Sequence, residues 1–146
     1  MMDATSYRVY RYLADGSMDE EFSSPLTDAS TTIRESEALA CGGVLLVMEG
    51  NNWLSLTKMT DAGILDTVFG ADDRVDILFN AFEQSPHSVD GGANGEIYLA
   101  GEADGDFVLV RPNADGSLDT KFGTDGTGYV KTPVGTAGDS GREVLI

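Results

Sequence analysis

Asn113–Gly123 reads NADGSLDTKFG, packing a turn, two acids and an aromatic into one short stretch. Leu13–Phe22, LADGSMDEEF, repeats the pattern near the start of the chain. A third, worn copy, DAGILDTVFG, runs from Asp61 to Gly70. The turn glycines Gly16, Gly63 and Gly116 fall 47 and 53 residues apart. Two positions after each comes a large apolar residue (Met18, Leu65, Leu118), then an acid (Asp19, Asp66, Asp119). Three positions later stands a phenylalanine: Phe22, Phe69, Phe122. Asp-Gly supplies the positive-φ position that a tight reversal needs. The second acid can accept backbone N–H bonds or face a cation, and the phenylalanine is suited to wedge between neighbouring units.

Ahead of each turn lies an alternating segment: YRVYRY from Tyr7, LSLTKM from Leu54, FVLVRP from Phe107. Period-two alternation ending in Arg11, Lys58 or Arg111 predicts a strand with one buried face and a cation at its exit. Val44–Met48 and Ile97–Ala100 each follow a Gly-rich turn and occupy corresponding places before those strands. Further strands are expected near Arg34–Ala40, with Arg142–Ile146 as its counterpart, and near Val75–Phe79 and Tyr129–Pro133. No segment sustains a helical period. The predicted fold is all-β, with antiparallel four-stranded blades of the β-propeller type that are incomplete within one chain. The frame gives a single β-repeat domain over 1–146: a partial blade over about 1–33, repeats over about 34–84 and 85–135, and the start of another blade at 136–146. Phe122 is expected to carry more burial energy than Phe22, whose blade is incomplete.

The copy FVLVRPNADGSLDTKFG, Phe107 to Gly123, resembles the delta-60 repeat of bacterial and phage β-propellers: apolar-x-apolar-x-Arg, then Asp-Gly-x-Leu-Asp-x-x-Phe-Gly. The first copy departs by Met18 for Leu and Ser23 for the closing Gly. The middle copy has Lys58 for Arg and Ala62 for the turn aspartate. The resemblance covers most of the chain and implies a scaffold without catalytic residues, in which Gly16, Asp19, Phe22, Gly63, Asp66, Phe69, Gly116, Asp119 and Phe122 are structural.

Composition narrows the function classes. Apolar residues form 41% of the chain, enough for a core. A formal net charge of −16 argues against nucleic acid or an anionic membrane as partner, since phosphate attraction needs Lys and Arg. Cys41 is the only cysteine and His87 the only histidine, so neither an intrachain disulfide nor a zinc tetrad is expected. MMDATSYRVYRY has neither a basic start nor an apolar run, so no secretory signal is expected. The apolar run Val44–Met48 is too short to span a bilayer.

Chemical motifs are few. GDSG, Gly138–Gly141, has the look of a serine-protease nucleophile turn, but that chemistry needs a histidine in reach of Ser140 with a buried acid behind it. His87 is the only candidate, and the repeat frame assigns the segment to a blade junction. Glu20–Glu21 and Asp72–Asp73 read as turn acids more readily than as a glycosidase pair. No enzyme activity is expected. EADGD and NADGSLD space hard oxygen ligands around a glycine, making Asp104, Asp106, Asp115 and Asp119 candidates for a structural calcium ion. Neither extends into an EF-hand loop, and the same residues serve as turn formers. No other cofactor is implied. Trp53, Tyr98 and Tyr129 suit either a binding rim or blade-junction packing.

A propeller needs at least four blades. Completion by copies of the same chain, by a different protein, or as an incomplete stack are the three options, and exposed edges favour assembly. The expected role is a structural or recognition module of a larger surface assembly, such as a phage tail-fibre or decoration protein, on a virion or extracellular surface. The alternative is a ligand- or glycan-binding module of a bacterial surface protein, aided by calcium.

Overall fold

The computed structural model describes residues 8–22, 24, 32–40, 42–50, 53–70, 74–77, 84–92, 95–133, 135 and 142–146. Eight strands follow in chain order: β1 (Thr32–Ala38), β2 (Val44–Gly50), β3 (Trp53–Met59), β4 (Val75–Ile77), β5 (Gln84–Gly91), β6 (Ile97–Ala103), β7 (Asp106–Val110) and β8 (Tyr129–Thr132). They form two antiparallel four-stranded sheets, β1-β2-β3-β4 and β5-β6-β7-β8. No helix occurs among the described residues. Each sheet is a simple meander whose neighbours in sequence are neighbours in space, the topology of propeller blades.

The first three strands of the two sheets correspond at a constant 53-residue spacing, and the fourth strand follows with two extra residues before it in the second sheet, since Leu56 pairs with Val75 and Leu109 with Val130. β1 carries a bulge at Arg34, between the Ile33–Met48 and Glu35–Val47 pairs, and β5 carries one at His87, between Pro86–Gly101 and Ser88–Ala100. Arg34 and His87 stand at the same 53-residue spacing as Gly63 and Gly116. Recurrence of a bulge at one repeat position marks β1 and β5 as equivalent inner strands. They also lie against each other.

Two positions differ from the sequence expectation. The counterpart of β1 is β5, a strand the sequence does not announce, because QSPHSVDG has no apolar alternation and contains Pro86. Arg142–Ile146, expected to be that counterpart, forms no ladder. It runs beside β5, where the Val144 N–H donates to Ser88 Oγ at 3.2 Å and the Ile146 N–H to Asp90 Oδ2 at 2.9 Å. Similarly, the alternation ahead of the first turn yields no strand over residues 8–12, only the isolated Tyr12–Met18 bridge. A strand requires a ladder partner, and no described segment flanks this one on its other side.

The core sits between the sheets. Leu45, Val47, Leu54, Leu56, Phe69 and Ile77 from the first meet Val89, Ile97, Leu99, Ala103, Val108 and Val110 from the second. The first sheet is buried on its other face as well, where Leu46 and Met59 pack with Phe22 and Val9 of the N-terminal segment. Burying both faces explains the near-continuous apolar run of β2.

Candidate functional site

The repeated turn is the most elaborate local structure in the chain, and its geometry is the same three times. In each copy the turn-glycine N–H donates three residues back, to Leu13, Thr60 or Asn113 O. The aspartate N–H returns to the strand-end cation's carbonyl, at Arg11, Lys58 or Arg111, and the phenylalanine N–H donates to the aspartate's own carbonyl. Gly16, Gly63 and Gly116 have φ of 84°, 75° and 85°, values that only glycine adopts freely.

Side chains complete a clasp around this backbone. Arg11 meets Asp19 at 2.6 Å, Lys58 meets Asp66 at 3.0 Å, and Arg111 Nε donates to Asp119 Oδ2 at 2.9 Å. The other carboxylate oxygen accepts the backbone N–H two residues on, from Glu21, Val68 or Lys121. Each cation also lies over the phenylalanine of its own copy, at 4.9, 5.9 and 4.7 Å from the ring centre. Asp19 and Asp66 are held below the ordinary carboxylate range first by Arg11 and Lys58, and Asp119 first by the Lys121 N–H and then by Arg111. Asp15 and Asp115 are lowered by the Ser17 and Ser117 hydroxyls and N–H groups they accept from. The middle copy, with Ala62 there, substitutes a long bond from the Ile64 N–H to Thr60 Oγ1 at 3.4 Å.

The four candidate calcium ligands fall at opposite ends of β7. Asp104 and Asp106 flank the β6–β7 reversal, where both approach Lys131, at 3.7 and 3.3 Å. Asp115 and Asp119 belong to the clasp. Among the described residues no group of three or more His, Cys, Asp or Glu side chains gathers as a metal site. Glu20 and Glu21 are exposed on the first turn. Ser140, Asp72–Asp73, Cys41 and the side chain of Trp53 lie outside the described residues. Tyr98 is half-buried and meets Phe122 edge to face, with ring centres 6.0 Å apart, while Tyr129 packs against the inter-sheet core.

The phenylalanines are not buried in the expected order. Phe22 is 7% and Phe69 1% exposed, whereas Phe122 is only half-buried. Burial follows which face a neighbouring sheet covers, and the face carrying Tyr98, Phe107, Leu109, Phe122 and Val130 has no sheet against it among the described residues. The counterparts of the first four, Leu45, Leu54, Leu56 and Phe69, are buried in the core, and Val75, the counterpart of Val130, is partly buried against it. Hydrogen bonds from Arg111 to Tyr98 and then Asp119 hold that guanidinium cationic beside the open face.

One feature was hidden from sequence reasoning. A groove of about 380 Å³ lies where β1, β5 and the C-terminal segment meet, lined by Glu35, Glu37, His87, Asp90, Arg142 and Glu143. Burial, then Asp90, then Glu35 push the Glu37 carboxyl above its ordinary range. The alternate acids of β1 are visible as ESE, but their approach to Asp90 depends on the inner strands meeting.

Residues 92–122, spanning β6, β7 and the last repeat turn, match the beta-propeller domain of unknown function DUF5122. No curated protein matches the chain. No solved structure matches it either. The two four-stranded sheets and this match together support a β-propeller repeat.

Proposed function

We propose that this protein is a non-enzymatic scaffold and recognition module, built of delta-60-type repeats, that works as part of a larger surface assembly. The observation that carries the reading is the unequal treatment of equivalent faces: the one on the first sheet is core, and the one on the second is uncovered. An apolar face with aromatic residues at its centre is the usual form of an interface between proteins. The recurring polar residues support the same reading, because each is tied up in structural bonds: the aspartates pair with the cation of their own turn, while Arg11 also holds Asp61 and the Gly42 carbonyl of the second repeat. A phage tail-fibre or decoration protein, on a virion or extracellular surface, is the role that the repeat resemblance suggests. Electron microscopy of the purified protein tests this directly, with ring-shaped or stacked particles expected. Turnover of any substrate by the purified protein would overturn the non-enzymatic reading.

The groove between the inner strands favours a second reading, a ligand- or glycan-binding module aided by calcium. Acidic side chains at the centre of a propeller suit polar ligands. Selective retention of a sugar on a glycan array, lost in Asp90→Asn, would establish it. Calcium enters this reading through Asp104, Asp106, Asp115 and Asp119, and a rise in melting temperature with calcium that chelator reverses is its signature.

A further inference from the structure

The same repeat turn is found in two environments. Gly63 and Gly116 are buried, and Gly16 is exposed. At Gly116 a side chain would run into Val75 Cγ2, 3.1 Å from Gly70 N and 3.3 Å from Phe69 Cε2. The turn is thus pressed into a socket on the preceding repeat, and the Gly70 N–H reaches across to Asp115 O at 2.8 Å. At Gly16, with nearly the same φ, a side chain would meet nothing within 4 Å. The residues around it are exposed too: Tyr12 is 66% and Met18 47% exposed, whereas their counterparts Pro112 and Leu118 are buried and partly buried.

The missing socket is present on the opposite side of the molecule. Phe122, Gly123 and Val130 stand where Phe69, Gly70 and Val75 stand in the first sheet, by the register of β3 with β4 and of β7 with β8. Val130 is 36% exposed and Phe122 half-buried, and the Gly123 N–H donates to no described residue. Among the described residues, one surface therefore has a turn without a socket, and another has a socket without a turn. The in-chain contact of the 113–118 turn with Phe69, Gly70 and Val75 shows that the two shapes fit.

We propose that a second copy of this chain docks head to tail, with the Leu13–Met18 turn of one copy seated on Phe122, Gly123 and Val130 of the other. Asp15 O accepts the Gly123 N–H across the boundary, Gly16 allows the close approach, and Tyr12 and Met18 cover the Phe122 ring. A side chain at residue 16 would prevent the seating, as one at 116 would inside the chain. The proposal rests on the scaffold reading and identifies the partner in it as a further copy. Since each chain carries a formal charge of −16, the contact is expected to strengthen as salt screens the repulsion.

The test is head-to-tail complementation, read as mass by light scattering at physiological and higher salt. The wild type is expected at two chain masses or more. Tyr12→Asp, which disables the turn side, and Val130→Asp, which disables the socket side, are each expected to give single chains. Both positions are exposed, and circular dichroism with thermal melting verifies that each variant is folded. Met18→Asp and Leu109→Asp replace either variant that is not. An equal mixture of one turn variant and one socket variant should recover a two-chain species, because each retains the surface the other lacks. A wild type that remains a single chain at high concentration and salt overturns the proposal, as does a mixture of folded variants that remains single chains. A wild type that remains a single chain also removes the rings or stacks expected of the purified protein, whereas the non-enzymatic reading stands apart and fails only on substrate turnover.

Discussion

The two sheets of this protein share strand order, bulge position and turn chemistry, yet they differ in how many faces are covered. The first is enclosed between the second sheet and the N-terminal segment, so Leu45, Leu46, Leu56 and Met59 are all fully buried. The second has the inter-sheet core on one side and an open face on the other, where Leu109 and Phe122 are only half-buried. A blade is consequently not a self-sufficient folding unit. Its apolar alternation writes two faces, and the free energy of each is realised only when a neighbour covers it.

The largest effect expected from this difference is at the phenylalanines. Phe69→Ala removes a ring enclosed between the sheets and should destabilise by about 3–5 kcal/mol through lost transfer energy and a cavity. Phe122→Ala should cost less, about 1–2 kcal/mol in the single chain, since its ring is only partly buried. Urea denaturation of both variants measures the gap. Equal losses would mean that the open face is covered in solution, so repeating the measurement on a docking-deficient background such as Tyr12→Asp sharpens the comparison.

The turn glycines offer a smaller contrast. Gly16→Ala meets no neighbour and should cost about 1–2 kcal/mol for the left-handed backbone alone. Gly116→Ala carries that strain plus the collision with Val75 and Phe69, for about 2–4 kcal/mol in total. If thermal melts show the two substitutions to be equivalent, the 113–118 turn does not seat on Phe69 as described.

These contrasts also mark what the sequence could and could not reveal. Local features were legible: the Asp-Gly turns, the cation at the strand exit and the alternation of β3 and β7 are each set within a few residues. β5 was not, because an inner strand is defined by its ladder to β6 and its contact with β1, and among the described side chains of QSPHSVDG only Pro86 and Val89 are buried. The order of phenylalanine burial was misjudged for a related reason. The three related motifs share one local geometry, and what covers each belongs to a different part of the chain. The acidic groove escaped for the same reason, since Glu37 and Asp90 meet only through the packing of β1 on β5. As for the candidate metal ligands, the sequence located the acids and offered Asp119 the strand-end Arg111, but it did not reveal that Asp104 and Asp106 meet Lys131.

Acid should affect the clasps next. The Asp15, Asp19, Asp66, Asp115 and Asp119 carboxyls titrate lower in the folded chain than their ordinary values. A depressed carboxylate contributes stability that is present above its unfolded pKa, near 4, and disappears as pH falls through the folded value. Melting temperature should therefore drop steadily below pH 4. Asp119→Asn should flatten part of that drop while lowering the plateau at neutral pH. An unchanged slope in Asp119→Asn would show that neither the Lys121 N–H nor Arg111 gives the carboxylate any net stability in solution, as is common for partly exposed ion pairs.

Glu37 runs in the opposite direction and should give the smallest effect. Its carboxyl is pushed up by burial first, then by Asp90 and Glu35, so the folded chain prefers it protonated. A raised acid favours the fold below its unfolded pKa, and this advantage is lost as pH rises through the folded value. At neutral pH the charged Glu37 therefore works against the contact between β1 and β5. Glu37→Gln removes the charge while keeping the shape, and should raise the melting temperature slightly at pH 7 with no gain at pH 4. Glu143 and the His87 and Arg142 side chains line the same groove, so Arg142→Gln should enlarge the benefit of Glu37→Gln by withdrawing a compensating cation. A Glu37→Gln variant that is less stable at pH 7 would show the carboxylate to be bound by a cation there. That result would shift the balance from the scaffold reading to the groove as the working surface of the protein.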